Sequence, residues 1–349
     1  MVLVAACSEP GGSNASGETS TGQASATSDG ASTTVMPPDS ATTTNPAATE
    51  PDPSTTGDES SGTRGVPMND VLYVPDMPIP SEEGCQAIDF LFIIDDSGSM
   101  YDEQINLINN FPTFSEQIQS TLEHVTSYQV GVVASDAYPY NDEPCGDLGD
   151  LVISTEGGSD SSNMVCGPYA AGQNFMTQED DLAASFACAA QLGTYGDGIE
   201  RPMEAMMNTL SDQNDGPGEC NEDFIRDDAL LVVVIITDEW DGPNDPEGVG
   251  AHSIGDPDVW YEAVLEAKGG VAENAAVLAL INYEATEDME PSPCTPLDEY
   301  SNGVNIRDFT LKFEQNGFLG GLCLDDFGPI FEQAIGVIDT ACENFIPPN

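Results

Sequence analysis

A carboxylate and two hydroxyls alternate along Asp95-Asp96-Ser97-Gly98-Ser99. Their oxygens are hard donors, and a turn that gathers Asp95, Ser97 and Ser99 suits Mg²⁺, Mn²⁺ or Ca²⁺ rather than a soft, thiophilic metal. The residues before the turn say what positions it. Ile88-Asp89-Phe90-Leu91-Phe92-Ile93-Ile94 is nearly unbroken apolar sequence, which reads as a central strand of a parallel sheet buried on both faces. Open α/β sheets bind their ligands just beyond the carboxyl ends of such strands. The turn therefore stands where a ligand site belongs.

A second segment repeats the pattern. Leu230-Leu231-Val232-Val233-Val234-Ile235-Ile236 is apolar and rich in β-branched residues, and it runs into Thr237-Asp238-Glu239. Between the two lies Gly193-Thr194-Tyr195-Gly196-Asp197-Gly198-Ile199-Glu200, a loop that leads into a helix ending near Leu210. The rest alternates in kind. A helix is expected over 102–122, with Pro112 predicting a kink or break, followed by a strand at 128–134. Residues 136–178 are rich in Asp, Gly, Pro, Asn and Ser and read as an insertion with a short strand at 151–153 and its own disulfide. Helices over 179–192, 257–268, 304–316 and 327–339 and strands at 276–282 and 318–324 complete the series. Strand–helix alternation of this kind gives a doubly wound α/β fold: a Rossmann-like, mainly parallel central sheet flanked by helices.

Asp-x-Ser-x-Ser after a buried strand, a loop threonine before a helix, and Thr-Asp closing a later strand occur here in the order found in von Willebrand factor type A (vWA) domains. The chain over 85–345 resembles that family, whose metal-ion-dependent adhesion site these residues would form. The resemblance implies that Ser97, Ser99 and Thr194 ligate the cation directly, while Asp95 and Asp238 act mostly through water. Mg²⁺ is the first expectation, with Ca²⁺ or Mn²⁺ as alternatives. A protein partner would supply a carboxylate to the remaining coordination position.

The charge is extreme, with six Lys and Arg against 62 Asp and Glu. The first 84 residues hold 12 of the acids and one base, Arg64, leaving 50 acids and five bases, a formal −45, on residues 85–349. So few cations cannot neutralise phosphates, which excludes nucleic acid as a partner and disfavours direct contact with an anionic membrane surface. Such a surface suits a protein that works in salt or beside divalent cations.

Val4-Ala5-Ala6-Cys7 resembles the lipobox of bacterial lipoproteins, with residues 1–7 as the remnant of a signal peptide and Cys7 as the lipidated residue. It lacks a basic segment in front. Residues 8–81 are Ser, Thr, Gly, Ala and Pro with scattered acids, a composition too poor in apolar side chains to offset its ordering entropy, and are expected to form a disordered linker. Eight further cysteines, Cys85, Cys145, Cys166, Cys188, Cys220, Cys294, Cys323 and Cys342, allow four disulfides. The ends of a doubly wound domain lie close together, which makes Cys85–Cys342 a natural pair. The chain is thus expected to be exported, lipid-anchored to the bacterial cell envelope (an outer membrane), with its domain outside the cytoplasm.

The two histidines, His124 and His252, are isolated, and no Gly-x-Ser-x-Gly elbow, phosphate loop or dinucleotide fingerprint occurs. The expectation is therefore a cation-dependent adhesion module and not an enzyme. A structural, salt-adapted envelope protein whose metal only stabilises the fold is the alternative. A metal-dependent hydrolase is less favoured, since nothing marks a general base beside the metal.

Overall fold

The computed structural model describes residues 84–348, apart from 122–124, 142–144, 156–157, 197, 212–215 and 244–251. Cys7 and the 8–81 linker lie outside the described residues.

Among the described residues, six strands form one sheet: β1 (Ala87–Ile94), β2 (Ser127–Ala134), β3 (Met176–Thr177), β4 (Leu230–Ile236), β5 (Ala275–Ile281) and β6 (Gly317–Gly321). The helices are α1 (Tyr101–Thr121), α2 (Leu182–Ala190), α3 (Pro202–Thr209), α4 (Pro257–Ala267), α5 (Val304–Leu311) and α6 (Gly328–Glu343). The strand order is β3-β2-β1-β4-β5-β6, with every pairing parallel except β2 with β3. The fold is the expected α/β type, with a mostly parallel central sheet flanked by helices.

Alternation along β1 shows how the layers are built. Phe90, Phe92 and Ile94 join one core with Leu107, Phe111 and Phe114 of α1, Phe186 of α2 and Ile330, Phe331, Ala334 and Ile338 of α6. Leu91 and Ile93 face the other way, into a core with Met203 and Met206 of α3, Trp260 and Val264 of α4 and Ile306 and Phe309 of α5. Side chains of successive strand residues point to opposite faces, and here both faces are covered, which is why the strand is apolar but for Asp89, whose buried carboxylate pairs with Arg226. Aromatic rings fill the first layer: Phe92 meets Phe186 at 4.8 Å between centroids and Phe111 at 5.8 Å, both edge-on.

Three local expectations are corrected. Of the kink or break expected at Pro112, the break does not occur: helix α1 continues through Pro112, because Phe111 and Phe114 on either side are buried anchors while Pro112 lies on the exposed face, where water can satisfy the carbonyl it leaves without a donor. The edge strand of the insertion is Met176–Thr177, not 151–153; Val152 only donates one hydrogen bond to the Val132 carbonyl, 2.8 Å. The disulfides are Cys85–Cys342, Cys145–Cys220, Cys166–Cys188 and Cys294–Cys323. The terminal pair is the one expected, but the insertion carries no bridge of its own: Cys145 and Cys166 each tie it outward, to the loop before β4 and to α2. Four disulfides indicate an oxidising, extracytoplasmic setting. Among the described residues no helix is long and apolar enough to cross a membrane.

Candidate metal centre

The sheet order places β1 beside β4, so Asp95 and Asp238 emerge at one edge. The Asp95 amide donates to the Ile236 carbonyl at 3.0 Å, extending the ladder one step past the strands. The Asp95 carboxylate accepts from the Ser97 amide at 2.8 Å and from the Thr237 hydroxyl at 2.5 Å. Outward from it, Ser97 Oγ lies 3.1 Å from Ser99 Oγ, and Ser99 Oγ donates to Asp238 at 3.0 Å. Four of the five sequence-marked residues thus form one chain of carboxylates and hydroxyls. It begins at fully buried Asp95 and ends at exposed Ser99 and half-buried Asp238.

Thr194 stands apart from that chain, since its hydroxyl donates to the Asp160 carboxylate. Its loop is nevertheless fixed against the turn. Gln104, buried in the first turns of α1, donates to both the Asp95 and Gly193 carbonyls at 2.9 Å and accepts from the Gly193 amide at 3.1 Å. The Gly196 amide donates to the Asp96 carbonyl at 3.0 Å. A Cβ at Gly196 would stand 2.8 Å from that carbonyl, so only glycine permits the approach. Gln104 carries no motif; its role depends on a loop 89 residues away.

On the other side of β1, the edge carries three more acids. Asp96, Asp136 and Glu200 each place a carboxylate oxygen within 4.8 Å of the others. They are 1 %, 5 % and 1 % exposed, respectively. Asp96 stands two residues past β1, Asp136 two past β2, and Glu200 just before α3. Ser135 joins them, its hydroxyl bonded to Glu200 Oε2 and, at 3.5 Å, to Asp96 Oδ1. This buried Asp-Asp-Glu group could hold a metal ion. Its signal was present in the sequence: Asp96, Asp136 and Asp238 each occupy the second position after a buried strand of this edge. Glu200 has no such signal, because only the fold brings its loop to β2.

Asp95, Asp96, Glu200 and Asp238 are hard to ionise as they stand. Burial, aided by Asp238 and opposed by the Thr237 and Ser97 hydrogen bonds, pushes Asp95 up to about 7. Burial and then Asp136 and Asp95 hold Asp96 well above the usual carboxylate range. Burial together with Asp95, Asp96 and Asp136 pushes Glu200 up to about 11. Asp238 is also raised by burial, against the Ser99 hydrogen bond. A divalent cation at such an edge supplies the positive charge that the side chains lack.

Comparison with known proteins adds little. No family model matches the chain, and no curated protein does. Proximal thread matrix protein 1 from the mussel byssus aligns at 14 % identity and a TM-score of 0.35, over 75 % of this chain and 50 % of that one. The human COPII-coat protein Sec24c aligns at 10 % identity and a TM-score of 0.29, over 76 % of this chain and 33 % of that one. The chain therefore spans half the length of the mussel protein it matches and a third of the coat protein.

Proposed function

We propose that this chain is an exported binding module of the vWA kind, anchored through lipid on Cys7, that engages a protein partner through a divalent cation. Asp95, Ser97, Ser99 and Asp238 hold the cation, Mg²⁺ in the first instance, and Thr194 joins if its hydroxyl turns from Asp160. The partner contributes a carboxylate. The observation that carries this reading is the continuous Asp95–Ser97–Ser99–Asp238 chain, buried at one end and open to solvent at the other. A site with neutral hydroxyl donors leaves the ion strongly electrophilic toward an incoming carboxylate, whereas hydrolysis also needs a base placed to activate water.

Two exposed aromatic side chains fit the role of a rim. Tyr101 is 52 % exposed and begins α1 directly after the metal turn, and Tyr195 is 60 % exposed in the loop whose Gly196 touches Asp96. Tyrosine is favoured at protein interfaces because it offers a large contact area and a polar tip.

The test is capture of a partner from the native cell envelope. Wild-type chain should retain it in Mg²⁺ and release it in EDTA, and Asp95→Ala should not retain it at all. Retention through both EDTA and Asp95→Ala refutes a bridging cation and leaves a structural role. The anchor is tested separately by fatty-acid labelling, which should mark the wild type and not Cys7→Ala.

A further inference from the structure

We infer that the Asp96–Asp136–Glu200 group is a second cation site, distinct from the solvent-facing one, and that its resident ion is Ca²⁺. The two sites lie on opposite sides of the end of β1. Asp95 is bonded toward β4, through Thr237, and Asp96 toward β2, through Ser135. The first reaches solvent at Ser99 and Asp238. The second is almost fully buried.

Three observations point to an ion there. The three carboxylates converge within 4.8 Å while almost fully buried. Asp96 Oδ2 and Glu200 Oε1, both in residues 1 % exposed, have no hydrogen-bond partner among the described residues, an expensive condition for buried carboxylate oxygens. Finally, each of the five lysines and arginines among the described residues has a partner outside this group. Arg226 pairs with Asp89 at 2.6 Å, Arg201 faces Glu204 at 3.7 Å, Arg307 pairs with Asp308 at 2.6 Å, Lys312 pairs with Asp258, and Lys268 donates to the Arg226 carbonyl at 2.7 Å. The nearby His252 ring lies 3.3 Å from the Glu200 carbonyl oxygen.

The donor set and its burial choose the ion. Three carboxylates can supply up to about six oxygens, the lower end of calcium's coordination range, in the flexible geometries that calcium accepts. Mg²⁺ gives up its water reluctantly and needs a near-ideal octahedron, which suits the open site better than this closed one. A buried Ca²⁺ here would fasten the ends of β1 and β2 to the start of α3. It would therefore hold still the turn from which Ser97 and Ser99 project.

The test is calcium binding by equilibrium dialysis, with thermal unfolding in parallel, on the metal-free full chain and on Glu200→Gln, Asp136→Asn and Ser99→Ala. The wild type should bind one Ca²⁺ at a site that each acid substitution weakens by at least about 100-fold and that Ser99→Ala leaves unchanged. Saturating Ca²⁺ should raise the wild-type Tm by roughly 5–10 °C and that of the acid variants by little. In EDTA, Glu200→Gln should melt higher than the wild type, because it removes one of three crowded acids. Calcium affinity and Tm response unchanged in both Glu200→Gln and Asp136→Asn would overturn the inference, as would a wild type that binds no Ca²⁺. Loss of partner capture in Ser99→Ala with calcium binding intact keeps the outcome separate from that of the adhesion reading.

Discussion

The Cys85–Cys342 bridge is expected to be the largest single covalent contribution to the stability of the domain. It joins residues 257 apart, the segment entering β1 and the end of α6. In the unfolded chain two other bridges already shorten that path. Cys145–Cys220 removes 75 residues and Cys294–Cys323 removes 29, while Cys166–Cys188 falls inside the first of these, so the effective loop is about 153 residues. The loop-entropy relation then gives about 5 kcal/mol at 25 °C. Removing the two buried sulfurs in Cys85→Ala/Cys342→Ala adds on the order of 1–2 kcal/mol. The backbone bond from the Cys85 amide to the Cys342 carbonyl, 2.9 Å, remains to hold the register. Urea unfolding of wild type and double variant, with the other three bridges oxidised, should therefore show a loss of about 5–7 kcal/mol. A loss under about 2 kcal/mol would mean that the unfolded chain is already compact or that the terminal segments are held by other contacts, and the loop-closure reasoning would fail.

Other consequences of the structure can be measured. Asp241 is buried, accepting from Ser253 and from the Met203 amide, and burial pushes its carboxyl up to about 6 from 3.8. A carboxyl raised in the folded state favours folding fully below pH 4 and loses that contribution as pH rises through 6, a swing of about 3 kcal/mol. The Tm of the wild type should therefore fall between pH 4 and pH 7 more steeply than that of Asp241→Asn, and equal slopes would refute it. Gly196→Ala should displace the metal turn by forcing a Cβ against Asp96, costing about 1–3 kcal/mol and weakening Mg²⁺ binding; unchanged binding would show the contact to be slack. Tyr101→Ala and Tyr195→Ala should each weaken partner capture by about 1–2 kcal/mol without altering Mg²⁺ affinity, as read by titration calorimetry. Because the domain carries a formal −45, added NaCl should preserve or strengthen capture of an acidic partner, not weaken it.

What the sequence revealed follows from the range of the interactions involved. Strands β1, β4 and β5 are legible because burial on both faces demands apolar residues at nearly every position, the paired Asp89 excepted, and Asp95, Ser97, Ser99 and Asp238 are legible because they lie at the ends of two of those strands. Pro112 does not break α1 because its cost depends on which face of the helix it occupies, a property set by Phe111 and Phe114 packing on distant Phe92. The edge strand misled because Met176–Thr177 is only two residues long and is defined by its partner β2. Glu200, Gln104 and the pairings of Cys145 and Cys166 are long-range facts: each residue gains its meaning from a loop brought near by the sheet. Thr194 is the intermediate case, in the expected loop but bonded to Asp160, a residue of the insertion that no local pattern connects to it.

In the proposed function, the Asp95–Ser97–Ser99–Asp238 chain holds a divalent cation at the solvent-facing edge. Calorimetric titration of Mg²⁺ into the metal-free full chain, compared with Ser99→Ala and Asp238→Asn, addresses it most directly. The wild type should show a Mg²⁺ binding step that each substitution weakens by about tenfold or more, with far-ultraviolet circular dichroism unchanged. An identical Mg²⁺ isotherm in all three proteins would contradict it.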